Sequence, residues 1–172
     1  MIINDIITQY KYYKQLGDRT FAQVPDEGLF YAPHAEANNI VTLVKHLRGN
    51  MLSRWTDFLT SDGEKEWRHR DTEFEAADIT SRTMMLAYWE EGWSCLLDTL
   101  DSLTDNDIEK TIYIRGEALS VRYALLRQLG HYAYHVGQIV YLGKMVMGTE
   151  WNSLSIPKNA SEAFNASMRR KE

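Results

Sequence analysis

The chain has 172 residues, of which 44% are hydrophobic and 25% charged, with a formal net charge of −5. That length suffices for one domain with a proper core, and the composition is ordinary for a soluble globular protein. The acidic balance argues against a nucleic-acid binder, which shows a basic surplus or patch, and the basic cluster Arg169–Arg170–Lys171 reads as a solvated tail. One cysteine, Cys95, excludes an intramolecular disulfide and suits a reducing compartment. The opening stretch MIINDIITQYKYYKQ carries neither a basic n-region nor a long apolar h-region, and no run approaches the ~20 apolar residues of a membrane span. The expectation is a single cytoplasmic domain over residues 1–172 that acts on neither nucleic acid nor membrane.

In chain order, Ile3, Ile6, Ile7, Tyr10 and Tyr13 recur at helical spacing and predict a first helix from Ile2 to Ala22. A loop from Gln23 to Glu36 follows, because Pro25, Gly28 and Pro33 break the pattern. Its Leu29, Phe30 and Tyr31 should pack down onto the core. A second helix runs from Asn38 or Asn39 to Leu59 on the stripe Ile40, Leu43, Val44, Leu47, Met51, Trp55 and Phe58. Glu64 to Asp78 is polar and reads as a loop with one helical turn, anchored by Trp67 and Phe74. Thr80 or Ser81 N-caps a third helix that reaches Leu103, with Met84, Met85, Tyr88, Trp89, Trp93, Leu96, Leu97 and Leu100 inward. Gly92 in its middle lowers propensity or lets another helix approach closely.

Thr111 to Ile114, a turn at Arg115–Gly116–Glu117, then Ala118–Leu119, predicts a short hairpin crossing from the third helix to the fourth. Ser120 N-caps a long fourth helix ending at Gly148, and Ser161 caps a short terminal one containing Phe164. Four long helices joined this way predict an all-α fold, a four-helix bundle.

The fourth helix carries His131 and His135, whose spacing puts both imidazoles on one face. Gln128, Gln138 and Leu142 fall near that face. His46 lies beside the apolar stripe of the second helix, with Asn50 and Arg54 on the following turns. The plain alternative is that each histidine is a hydrogen-bonded, partly buried side chain. Taken together, the three match a common ligand set, since catalytic zinc often takes three histidines with a fourth position open, and bundle cores host sites built from facing helices. His34, beside Pro33, and His69, between arginines, read as surface residues. Cys95, among Trp93, Leu96 and Leu97, reads as a buried and inert thiol.

The pattern HLRGNMLSRWTDFLTSDGEKEWRHRDTEF, followed by HYAYHVGQIVYLGK, resembles the DinB-like superfamily, near its YfiT-like metal-binding branch. The resemblance covers essentially the whole chain. It implies an up-down-down-up four-helix bundle, often a homodimer, that holds a divalent metal, zinc or nickel, on one histidine of the second helix and two of the fourth. By position these are His46, His131 and His135. Related proteins include transferases and isomerases that use low-molecular-weight thiols such as bacillithiol, mycothiol or glutathione.

The function this implies is a metal-binding bundle protein that transfers such a thiol to a small electrophile. A hydrolase that activates water, a non-catalytic metal-binding stress-response protein and a dimeric interaction protein are the alternatives. Asn50 and Gln138 are expected to orient a ligand, and Arg54 and Arg70 to hold a carboxylate or to form structural salt bridges. Asp71 and Glu73 are read as caps or as partners of Arg70.

Overall fold

The computed structural model describes residues 2–75 and 78–169. Among them are five α-helices and one two-stranded hairpin: α1 (Ile2–Phe21), α2 (Ile40–Trp55), α3 (Arg82–Ser102), β1 (Thr111–Ile114), β2 (Glu117–Ser120), α4 (Val121–Met147) and α5 (Ser161–Arg169). The predominantly helical character follows the sequence expectation. α2 packs on both α3 and α4, and α1 lies against α4 and α3. Among the described residues no helix is long and apolar enough to cross a membrane.

The helix starts follow from local chemistry. Asn39, Ser81 and Ser120 each accept a hydrogen bond from the backbone N–H three residues on, at 2.8, 3.2 and 3.2 Å, which satisfies one of the otherwise orphaned donors of a helix N-terminus. α2 stops at Trp55, short of the expected Leu59, because Asp57 takes a positive φ of 52° that an α-helix cannot continue through. Phe58 still reaches the core, carried there by a turn.

The interior is built around three tryptophans. Trp55, Trp89 and Trp93 are fully buried with Tyr10, Tyr132, Leu43, Leu47, Met51 and Met85. Each Leu-sized side chain removed from water contributes roughly 1.5–3 kcal/mol. Their polar tips are mostly paired: Trp55 Nε1 donates to the Tyr132 hydroxyl at 2.9 Å, Tyr10 donates to the Leu125 carbonyl at 2.8 Å, and Trp89 Nε1 donates to Asp18 at 2.7 Å. Gly92 answers to the second of its two readings, since a Cβ there would lie 3.0 Å from the Arg48 Cα of α2. Four residues expected in the core sit nearer the surface: Trp67 is 54% exposed, Tyr31 45%, Met84 38% and Phe30 36%. Trp67 is in a loop with no helical period to fix a face, and Met84 lies in the first turn of α3.

The hairpin pairs Thr111 with Ser120 and Ile114 with Glu117. Its turn is shorter than the sequence suggests, with Glu117 already in β2. Arg115 and Gly116 both have positive φ, 56° and 74°, as a two-residue hairpin turn of the twist-matched type demands. The Asp62 carboxylate accepts from the N–H groups of both residues, at 2.8 and 2.7 Å, and Gly63 N–H donates to the Tyr113 carbonyl at 2.8 Å. These bonds clamp the hairpin to the turn after α2 and fix where the Arg115 side chain begins.

Candidate metal centre

α2 and α4 bring His46, His131 and His135 together. His131 Nε2 lies 3.3 Å from His46 Nε2 and 3.1 Å from His135 Nε2, and one ring nitrogen from each of the three falls within 4.8 Å of the others. His46 and His135 are buried and His131 is half-buried. The pair on α4 follows from helical spacing. His46 joins it because the buried faces of α2 and α4 meet at this level, where Tyr132 donates to Asn50 Oδ1 at 2.9 Å.

The outer ring nitrogens of His46 and His135 are held as well. His46 Nδ1 donates to Glu73 Oε2 at 2.8 Å, and His135 Nδ1 donates to Gln138 Oε1 at 2.8 Å. A proton kept on Nδ1 leaves the Nε2 lone pair pointing at the cluster, the arrangement typical of ligating histidines. Phe74 stacks on the His46 ring, centroids 4.9 Å apart, and fixes its plane. Lone pairs this close repel one another unless a cation or a proton lies between them. Burial, and then the neighbouring His135 and His46, push the His131 pKa down to about 3, and burial lowers that of His135. Both are therefore neutral at pH 7, the protonation state that ligates. The three ring nitrogens, with His131 and His135 neutral, are chemically suited to hold a metal ion.

Glu73 corrects the sequence reading. It is neither a cap nor a partner of Arg70; it lies buried between His46 and Arg68. Arg68 donates to it twice, Nε to Oε1 at 2.7 Å and a terminal nitrogen to Oε2 at 3.0 Å. Burial alone would raise the Glu73 pKa, but the hydrogen bonds from His46 and Arg68 outweigh it and hold the carboxyl below its usual range. Gly49 on α2 makes the space, since a Cβ there would overlap the Glu73 carboxylate. Arg70 pairs loosely with Asp71, at 3.8 Å, and lies over the Phe74 ring.

Beside the three histidines opens a cavity of about 440 Å³, lined also by Asn50, Arg54, Gln128 and Tyr134, and by further arginines. Asn50 and Arg54 thus border the cavity, and Gln138 touches His135 directly. Arg54 also carries the structural role, donating to Glu64 Oε2 at 3.1 Å and to the Gly63 carbonyl. Sequence reasoning missed Arg68 and the place of Glu73 against His46, since both lie where no periodicity marks a buried face. It also missed Arg127, although its place four residues before His131 puts it on the same face of α4.

The remaining candidates lie apart from the cluster. His34 and His69 are exposed, as expected of them. Cys95 is half-buried, with Sγ 3.7 Å from the Thr56 hydroxyl, and burial pushes its thiol pKa up, away from the reactive thiolate.

With this geometry in hand, comparison with protein families matches residues 1–160 to the family described as "Protein of unknown function (DUF1572)", and the chain belongs to that family. No curated protein matches the chain.

Proposed function

We propose that this chain is a divalent-metal-binding protein of the DinB-like type, an up-down-down-up four-helix bundle in which His46, His131 and His135 hold zinc or nickel. Its proposed reaction is the transfer of a low-molecular-weight thiol to a small electrophile. The observation that carries this reading is the convergence of three Nε2 atoms from two helices, backed by Glu73 and Gln138 on the outer nitrogens. A bound ion of this class supplies Lewis acidity that favours the thiolate over the thiol at neutral pH.

The chain's own side chains do the rest. Glu73 and Gln138 hold the two imidazoles in register, and Arg68 keeps Glu73 ionised. Asn50 and Gln128 present polar groups to a ligand in the cavity. In the transfer, sulfur forms a bond to the electrophilic carbon, the bond to the leaving group breaks, and the thiol proton departs with the displaced group. The exposed Tyr134 and Tyr141 on α4 support the further proposal of a homodimer.

Metal analysis of the purified protein, with a panel of thiols and electrophiles, tests this on the wild type and on His135→Ala. The expected result is about one zinc or nickel per chain in the wild type, much less in the variant, and turnover that follows metal content. Metal without turnover would leave a non-catalytic metal-binding protein, and hydrolysis without thiol would point to water activation. Absence of metal from both proteins after reconstitution would end the metal reading.

A further inference from the structure

Among the described residues, five arginines line the cavity at the histidine cluster, namely Arg54, Arg68, Arg70, Arg115 and Arg127, and no aspartate or glutamate does. This concentration stands out in a chain whose net charge is −5. The nearby carboxylates do not balance it. Glu64 is shared by Arg54 at 3.1 Å and Arg115 at 2.9 Å, and Glu73 is engaged by Arg68 and His46 together. Among the described residues, Arg70 and Arg127 have only loose ion-pair partners, each 3.8 Å away, in Asp71 and Glu117, whose side chains are largely in solvent. Exposed pairs of that kind contribute little and are easily exchanged for a better anion.

A second observation is the polarity of the same wall. Among the described residues, four buried side-chain polar atoms have no hydrogen-bond partner, and three of them belong to residues lining this cavity: Arg54 Nε, Gln128 Oε1 and His131 Nδ1. Buried polar atoms are almost always paired, so three on residues lining one cavity mark an unusually polar and under-satisfied wall. The arginines are also graded by depth. The side chains of Arg54 and Arg68 are 7% and 2% exposed, whereas those of Arg70, Arg115 and Arg127 are 51%, 59% and 43% exposed and form the rim.

We propose that the substrate or thiol taken into this cavity is an anion, bearing a carboxylate or phosphate group that Arg70 and Arg127 grip at the rim while its other end reaches the histidine cluster. The guanidinium fork matches both oxyanions in shape and charge, and low-dielectric walls of one sign concentrate such ligands from solution. The volume, about 440 Å³, suits a small organic molecule. The inference deepens the proposed function and rests on it only for the group that meets the cluster.

The test uses the full chain, reconstituted with zinc, and the double variant Arg70→Gln/Arg127→Gln. Both substituted side chains are at the surface, and coincident thermal melts establish that the variant folds. Calorimetric titration compares mercaptosuccinate, which carries a thiol and two carboxylates, with 2-mercaptoethanol, which has the thiol alone. Succinate and inorganic phosphate separate carboxylate from phosphate preference. The expected result is mercaptosuccinate binding at least about tenfold more tightly than 2-mercaptoethanol, with the gap closing in the variant and shrinking with added salt. Equal affinity for the two thiols, or a gap that survives the double substitution, overturns the proposal. If the protein takes up no zinc, the metal reading fails on its own. Succinate and phosphate titrated into the zinc-free protein then decide the anion: binding weakened by the double substitution supports it, and no binding overturns it.

Discussion

Glu73 sits between a guanidinium and an imidazole and fixes both. Its hydrogen bond to His46 Nδ1 sets which nitrogen faces the cluster, and Arg68 keeps it ionised although it is buried. A partner of this kind typically changes metal affinity by about 10–100-fold when removed. Glu73→Gln should therefore weaken zinc binding by roughly that factor, read by competition with a chromophoric chelator. Gly49→Ala should have a similar effect without touching either partner chemically, because the added methyl takes the space of the carboxylate. Zinc affinity unchanged in both variants would mean that Glu73 serves packing alone.

The crossover between α3 and α4 packs Leu103, Ile108, Ile112 and Ile114 into the core, and its entry is set by Asp107. That carboxylate accepts from the Thr104 N–H and hydroxyl, both at 2.7 Å, and pairs with Lys110 at 2.6 Å. The bonds from Lys110 and Thr104 bring its pKa down to about 2. A carboxyl whose folded pKa is depressed contributes stability that is present above its unfolded value and is lost as pH falls through the folded one. Asp107→Asn should accordingly lower the melting temperature at pH 7, and the difference from wild type should close as pH drops from about 4 towards about 2. Thermal melts across that range check it, and a difference independent of pH would show that ionisation of Asp107 is immaterial. The hairpin beyond it is a marginal element alone. Here Ile112 and Ile114 are buried and Asp62 clamps the turn, so it rides on the helices and holds Arg115 at the cavity.

For the molecule as a whole, a metal held only by the folded state is a stability term. At free zinc about a thousandfold above its dissociation constant, linkage contributes roughly 4 kcal/mol. For a chain of this length that corresponds to a rise in melting temperature of very roughly 10 °C. Calorimetry with zinc, and again after excess chelator, should show the rise and its reversal. His46→Ala should show neither, and a shift that persists in that variant would place the metal elsewhere.

Much of this was legible in the residues. Helical periodicity marked all four long helices, and Asn39, Ser81 and Ser120 marked the starts of α2, α3 and α4, because apolar spacing and capping are local properties of the chain. The end of α2 was not legible, since it turns on the backbone angle of one aspartate. His131 and His135 were a visible pair because the helix itself sets their separation. That His46 meets them depends on how α2 lies against α4, a matter of core packing around Trp55 and Tyr132 that no spacing encodes. Glu73, Arg68 and the ring of arginines were hidden more deeply, for they come from a loop, a hairpin and two helices far apart in the chain. The amino-acid sequence by itself determined the helices, their caps and the candidate ligands, all products of short-range physics. Only the tertiary structure decided which charges share a cavity, because that proximity exists once the chain has packed and not before.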